Sequence, residues 1–311
     1  MTTTIRPITQ ERIASRATEH AGRLTGRILK RCLQQDPEHE YFLYLPQTRL
    51  VKAPMFVSVH GITRNAAEHA RSFAPFAERN GVILIAPLFS TDRFPGYQRL
   101  ARTDKGPRAD LTLDHIVAEV GDLVGSDIDR LFMFGYSGGG QFVHRYALAH
   151  PLKVARLVVA AAGWYTFPDP TRSYPSGLKG TRDMPVDGQK TLHFLSIPIS
   201  VLVGDGDTLR DPELNKSRRI DGQQGLNRLE RGRRWIRSME VAARAYQLHT
   251  EYRFEELPTS DHSFTNCMTR GGMGERVFEF LFDSSVNRRE GNDNQTDVHG
   301  EAGDRMHDRL F

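Results

Sequence analysis

The chain has 311 residues, enough for one large α/β unit or two smaller domains. Apolar residues make up 39% and charged residues 26%, which excludes a wholly disordered chain. The net charge is +4, and only seven of the 42 cations are lysine. The arginines are spread along the chain among 38 acids, so a solvated surface is expected and no nucleic-acid partner. Cys32 and Cys267 stand far apart, which excludes a disulfide framework and a cysteine-built zinc site. The longest apolar stretch, Val82–Phe89, falls far short of the ~20 residues of a membrane-spanning helix. The first residues are polar and contain no apolar core of a secretory signal. A cytoplasmic protein without a membrane partner is expected.

In chain order, residues 9–33 space their apolar side chains (Ile13, Ala17, Ala21, Leu24, Ile28) mostly by three or four, which predicts a helix. An N-terminal helical extension over 1–39 is expected from this. Tyr41–Leu45 and Met55–Val59 read as strands, and Ala66–Arg79 as a helix. Val82–Ala86 is continuously apolar between Gly81 and Pro87, the pattern of a fully buried parallel strand. A helix follows over Leu111–Val124, a strand over Arg130–Phe134 and a helix over Gln141–Ala149. Strands are expected over Val154–Ala162 and Ile199–Val203, an Arg-rich helix within Leu226–Tyr246, a strand over Tyr252–Leu257 and a helix over Gly274–Phe282. This alternation predicts one α/β domain over 40–283 with a mostly parallel sheet. From Ser284 the chain is polar and charged, and a disordered tail over 284–311 is expected.

The segment carrying most chemistry is Leu131-Phe-Met-Phe-Gly135-Tyr136-Ser137-Gly138-Gly139-Gly140. A hydrophobic strand runs into Gly-x-Ser-x-Gly and then into a helix. Side chains at Gly135 and Gly139 would collide across so tight a turn. The serine is pushed out above the sheet at a helix N-terminus, where backbone N–H groups and the helix dipole favour negative charge. The glycine spacing does not fit a dinucleotide-binding GxGxxG, and no Gly-Lys-Ser/Thr completes a phosphate loop.

With this elbow, the chain resembles the α/β-hydrolase superfamily over roughly residues 40–283. Tyr41-Phe-Leu-Tyr-Leu-Pro46 and Phe56-Val-Ser-Val-His60-Gly61 place the resemblance nearest the esterase and polyhydroxyalkanoate-depolymerase-like branch. The resemblance implies an α/β-hydrolase fold: a mostly parallel central sheet with helices on both faces. It also implies Ser137 as nucleophile, with an oxyanion hole formed by the N–H groups of Gly138 and Ile62. His60 is read as a brace for the loop His60-Gly61-Ile62-Thr63.

A serine nucleophile needs a neutral imidazole to take its proton and a carboxylate to orient that imidazole. In the superfamily these follow the serine in the order acid, then histidine. Gly204-Asp205-Gly206-Asp207-Thr208 leaves the Ile199–Val203 strand. The family position selects Asp207, with Asp205 as competitor and Asp211 as a more remote one. A plain Gly/Asp turn stands as the alternative, whereas the spacing of a calcium loop is missing. Of twelve histidines, His262 follows the Tyr252–Leu257 strand and occupies the family base position.

Gly163-Trp164-Tyr165-Thr166-Phe167 follows a strand, at the sheet end where ligands bind in open α/β folds. Trp164, Tyr165, Phe167 and Phe89 are therefore candidate substrate-binding residues, with core packing as the alternative for each. Residues 163–190 are too few for a large cap. The segment 228–237, rich in arginine, reads as a solvated outer face. The function expected is a serine esterase acting on a small-molecule ester without cofactor or metal. The alternatives are a peptidase or thioesterase on the same scaffold, or a non-catalytic binding protein. The sequence leaves the oligomeric state open.

Overall fold

The computed structural model describes residues 21–48, 50, 52–100, 106–125, 130–182 and 184–282. The expected tail and the first part of the expected N-terminal helix lie outside them.

Eight strands form one sheet: β1 (Ile28–Leu33), β2 (Asp36–Tyr44), β3 (Met55–Val59), β4 (Ile83–Pro87), β5 (Leu131–Tyr136), β6 (Val154–Ala160), β7 (Ile199–Gly204) and β8 (Tyr252–Leu257). Their order is β1-β2-β4-β3-β5-β6-β7-β8. β1 and β2 are antiparallel to their neighbours, and β4 through β8 pair in parallel. The α-helices that lie wholly among the described residues are α1 (Ala66–Asn80), α2 (Ala109–Val124), α3 (Gly138–Ala149), α4 (Gly188–Leu195), α5 (Arg218–Gln224), α6 (Arg228–Ala245), α7 (Phe264–Thr269) and α8 (Met273–Phe282).

Helices cover both faces, and β3 shows how. Successive strand residues point to opposite sides. Met55, Val57 and Val59 join the cluster of Leu113, Phe142 and Trp235 from α2, α3 and α6. Phe56 points the other way and packs edge-on against Phe73 of α1 and Phe278 of α8, with ring centroids 5.2 and 5.1 Å apart. Both sides of β3 and β4 are buried, which is why those strands read as unbroken apolar runs.

One expectation is corrected here. The helix read through residue 33 gives way at Ile28 to an edge strand, whose register pairs Ile28 with Tyr44 and Arg31 with Tyr41. Gly26, at φ 73°, makes the turn that turns the chain into that strand. The sheet therefore starts inside the segment expected to be a helical extension. Between β6 and α4, residues 161–187 hold turns and two isolated bridges in their described part, and this part forms no cap domain.

Candidate active site

β5 delivers Ser137 at its C-terminal end. The residue has φ 53° and ψ −111°, a left-handed conformation costly for any residue with a Cβ. Two neighbours hold it there: its N–H donates to Ala160 O at 2.8 Å, and its C=O accepts from Gln141 N–H at 3.1 Å. The turn closes so tightly that a Cβ on Gly139 would lie 2.6 Å from His60 O. One on Gly135 would lie 2.8 Å from Gly140 N.

β7 and β8 deliver two further groups to the same edge. His262 Nδ1 lies 2.7 Å from Asp207 Oδ2, and its Nε2 lies 3.1 Å from Ser137 Oγ. The Tyr136 ring stacks against the imidazole at 5.5 Å. Asp207 is 1% exposed, so its charge is shielded from water and directed at the ring. The structure thus brings Ser137, His262 and Asp207 together and leaves Asp205 elsewhere. Asp205 accepts from the backbone N–H groups of Thr259 and Ser260 at 3.0 and 3.1 Å. Those bonds, Ser260 first, hold its carboxyl below the usual range and tie the loop after β7 to the loop carrying His262.

The loop after β3 passes over the serine. A Cβ on Gly61 would lie 3.5 Å from Ser137 Cβ, and one on Gly138 would lie 3.0 Å from Ile62 Cγ2. His60 fixes this loop from below. Its Nδ1–H donates to Gly61 O at 2.7 Å, and its Nε2 accepts from Phe89 N–H at 3.0 Å. The Tyr97 hydroxyl donates to His60 O at 2.8 Å. Burial pushes His60 down to about 4, so the ring is neutral and can both donate and accept.

Two clefts share Ile62 and Glu213, and Ser137 lines the first. One, of about 450 Å³, is lined by Ile62, Tyr136, Ser137, His262 and Phe264, with Glu68 and Glu213 at its edge. The other, of about 590 Å³, is lined by Ile62, Gln98, Arg99, Gln141, Trp164 and Glu213. Of the four aromatic residues expected at the substrate, only Trp164 lines either of these two clefts. Phe89 is wholly buried, stacked on Tyr97 and against Phe142. Tyr165 is wholly buried against Trp235, and Phe167 belongs to the main core. For these three the packing alternative holds, because their side chains turn into the sheet–helix interface. Phe264 and Tyr136 are the aromatics that the sequence reading missed.

The Arg-rich segment is corrected in part: Arg233, Arg234 and Arg237 are exposed as expected, but two other arginines are not. Arg228 and Arg231, one helical turn apart at the start of α6, are 2% and 0% exposed. Trp235, Ile236, Met239 and Ala243 mark the buried face of this helix. Extending their phase backwards reaches both arginines, which is the signal that could have found them. Gly232 follows Arg231 on the same face, where a Cβ would sit 3.0 Å from Val201 Cγ1, so the helix presses directly onto β7. Among the described residues, no group of three or more His, Cys, Asp or Glu is placed to share a metal ion.

Neither a protein-family model nor a curated protein matches the chain. Solved structures do. Poly(aspartic acid) hydrolase-1 from Sphingomonas sp. KT-1 is 25% identical with a TM-score of 0.68, over 79% of this chain and 94% of that one. The poly(3-hydroxybutyrate) depolymerase LpqC from Bordetella parapertussis is 22% identical with a TM-score of 0.69, over 89% and 97%. An S-formylglutathione hydrolase from Agrobacterium tumefaciens is 14% identical with a TM-score of 0.52, over 82% and 94%. With this sheet order, the serine on its strand-to-helix turn and these structural likenesses, the chain has the α/β-hydrolase fold.

Proposed function

We propose that the protein is a serine hydrolase of carboxylic esters that works through an acyl-enzyme. The observation that carries this reading is the single imidazole bridging Ser137 Oγ and a buried carboxylate. Asp207 accepts from Nδ1–H, which leaves Nε2 free to take the serine proton. The alkoxide equivalent then attacks the ester carbonyl. The developing oxyanion sits between the N–H groups of Gly138 and Ile62, which the braced loop holds in place without reorganisation. The imidazolium returns its proton to the leaving alcohol, and water reverses the sequence to release the acid. No metal or cofactor enters the scheme.

The first cleft, walled by Ile62, Tyr136 and Phe264, suits an uncharged acyl or aryl group. Each further methylene contributes only ~0.8 kcal/mol, so chain-length selectivity is weak. A kcat/KM series of nitrophenyl esters tests this. Values rise over the first few carbons and then fall, while matched nitroanilides are poor substrates. No turnover of any ester, or a strong amide preference, would overturn the reading.

A second reading is favoured by the other cleft. Arg99 lines it and stands over the Trp164 ring at 5.5 Å. It has no carboxylate partner among the described residues. Its charge would suit an anionic oligomer, and one structural neighbour is a poly(aspartic acid) hydrolase. Poly(aspartic acid) as substrate, beside the nitroanilides, separates the two readings.

A cytoplasmic location is part of the proposal. Cys32 and Cys267 are both free thiols, as suits a reducing compartment. No helix of the described residues is long and apolar enough to cross a membrane.

A further inference from the structure

Arg231 and Arg228 are buried side by side on one face of α6 but have different partners. Arg231 serves the backbone. It donates to the carbonyls of Gly163, Asn215 and Gly225 and pairs with Asp221. Arg228 serves carboxylates. Its Nη1 donates to Asp207 Oδ1 at 3.3 Å, and the same nitrogen pairs with Asp211 Oδ2. Its Nη2 donates to Asp211 Oδ1 at 3.1 Å. The two oxygens of Asp207 are thus divided, Oδ2 to His262 and Oδ1 to Arg228.

A guanidinium beside the catalytic carboxylate creates an electrostatic difficulty. It orients Asp207, but its positive charge opposes formation of the imidazolium that the carboxylate must stabilise. Asp211 removes that difficulty. Grasped by both nitrogens of the fork, it returns the cluster to one net negative charge. Its carboxyl is held down to about 2, first by the Arg228 hydrogen bonds, and the charge of His262 also reaches it.

We propose that Arg228 and Asp211 are positioning residues for the triad. Arg228 fixes the orientation of Asp207, and Asp211 restores the negative field around His262. This rests on the ester-hydrolase reading with Ser137, His262 and Asp207 as its machinery. The other groups around His262 are Tyr136 and Ser137 from the elbow, Asp261 on its own loop, and Cys267 on α7. Glu68 and Glu213 face it at the edge of the cleft.

The test is the acid limb of the kcat/KM–pH profile on a nitrophenyl ester. Asp211→Asn removes a negative charge and disfavours the imidazolium, so the limb moves down by about one pH unit. Arg228→Gln leaves two uncompensated carboxylates, so the limb moves up, and kcat falls because Asp207 loses its second tether. The double variant returns the limb close to its starting position. Arg228→Lys keeps the charge, so the limb stays in place while kcat falls, because an ammonium cannot span both carboxylates.

Asp211 is 25% exposed, so Asp211→Asn remains informative even where Arg228→Gln fails to fold. Shifts of one sign for both variants, or an unmoved limb in a folded Asp211→Asn protein, overturn the inference. Retained ester turnover in Ser137→Ala would instead remove the reading beneath it.

Discussion

Replacing Asp207 with asparagine and, separately, Asp205 with asparagine distinguishes two carboxylates two residues apart. Asp207 is 1% exposed and 2.7 Å from His262 Nδ1. An amide there no longer requires the proton on Nδ1. The ring can then carry its proton on Nε2, where it cannot accept from Ser137. In serine proteases the equivalent change lowers kcat by ~10⁴, or roughly 5 kcal/mol of transition-state stabilisation. A fall of ~10³–10⁴ is expected here. Asp205 instead accepts two backbone N–H bonds from the His262 loop. Asparagine keeps one acceptor, so the loop loosens but retains its base, and kcat falls by about tenfold or less. The assay is nitrophenyl acetate turnover at pH 8, with thermal midpoints to show that both variants fold. Reversed severities, or a folded Asp207→Asn protein with nearly full kcat, would refute the assignment of the acid.

Gly138→Ala places a Cβ 2.6 Å from the Tyr97 hydroxyl and 3.0 Å from Ile62 Cγ2, and so pushes the two proposed oxyanion donors apart. A kcat loss of ~10²-fold or more is expected, and an unchanged kcat would place the oxyanion elsewhere. Phe89→Leu, a core change, costs about 1 kcal/mol in urea unfolding and leaves KM unchanged, whereas a raised KM would put Phe89 back at the substrate. Trp164→Ala raises KM for esters with bulky groups, and an unchanged KM across the series would show that its cleft goes unused. Burial holds His39 and His60 down to about 4, below the ordinary value near 6.5. The unfolded chain therefore binds more protons between those values. Their contribution is complete above pH 6.5 and is lost as the pH falls toward 4. At pH 5 the loss is about 2 kcal/mol per histidine, read as a lower urea midpoint than at pH 7, and equal midpoints would contradict it.

The elbow was legible because its chemistry leaves little freedom. Gly135 and Gly139 are required by backbone approaches that no side chain survives, and such constraints appear as residue identities. The positions of Asp207 and His262 followed from the resemblance, which puts the acid and the base on the loops leaving β7 and β8. β1 was not legible. It is an edge strand with a mixed burial pattern, so its apolar residues carry no clean period of two. The aromatic residues failed for another reason. A sequence places Phe89 and Tyr165 after strand ends but does not say which way their side chains turn. Arg228 and Arg231 were hidden by their charge. Only the phase of Trp235, Ile236 and Met239 along the same helix shows that they point inward.

The central claim is that Ser137 is the nucleophile. Treatment with a reactive organophosphonate, followed by peptide mapping by mass spectrometry, tests it directly. One adduct per chain is expected, on Ser137, with ester hydrolysis lost in proportion to labelling. The Ser137→Ala protein should fold, take up no label and retain only a residual rate. An adduct on another residue, or a folded Ser137→Ala protein with undiminished turnover, would contradict the account.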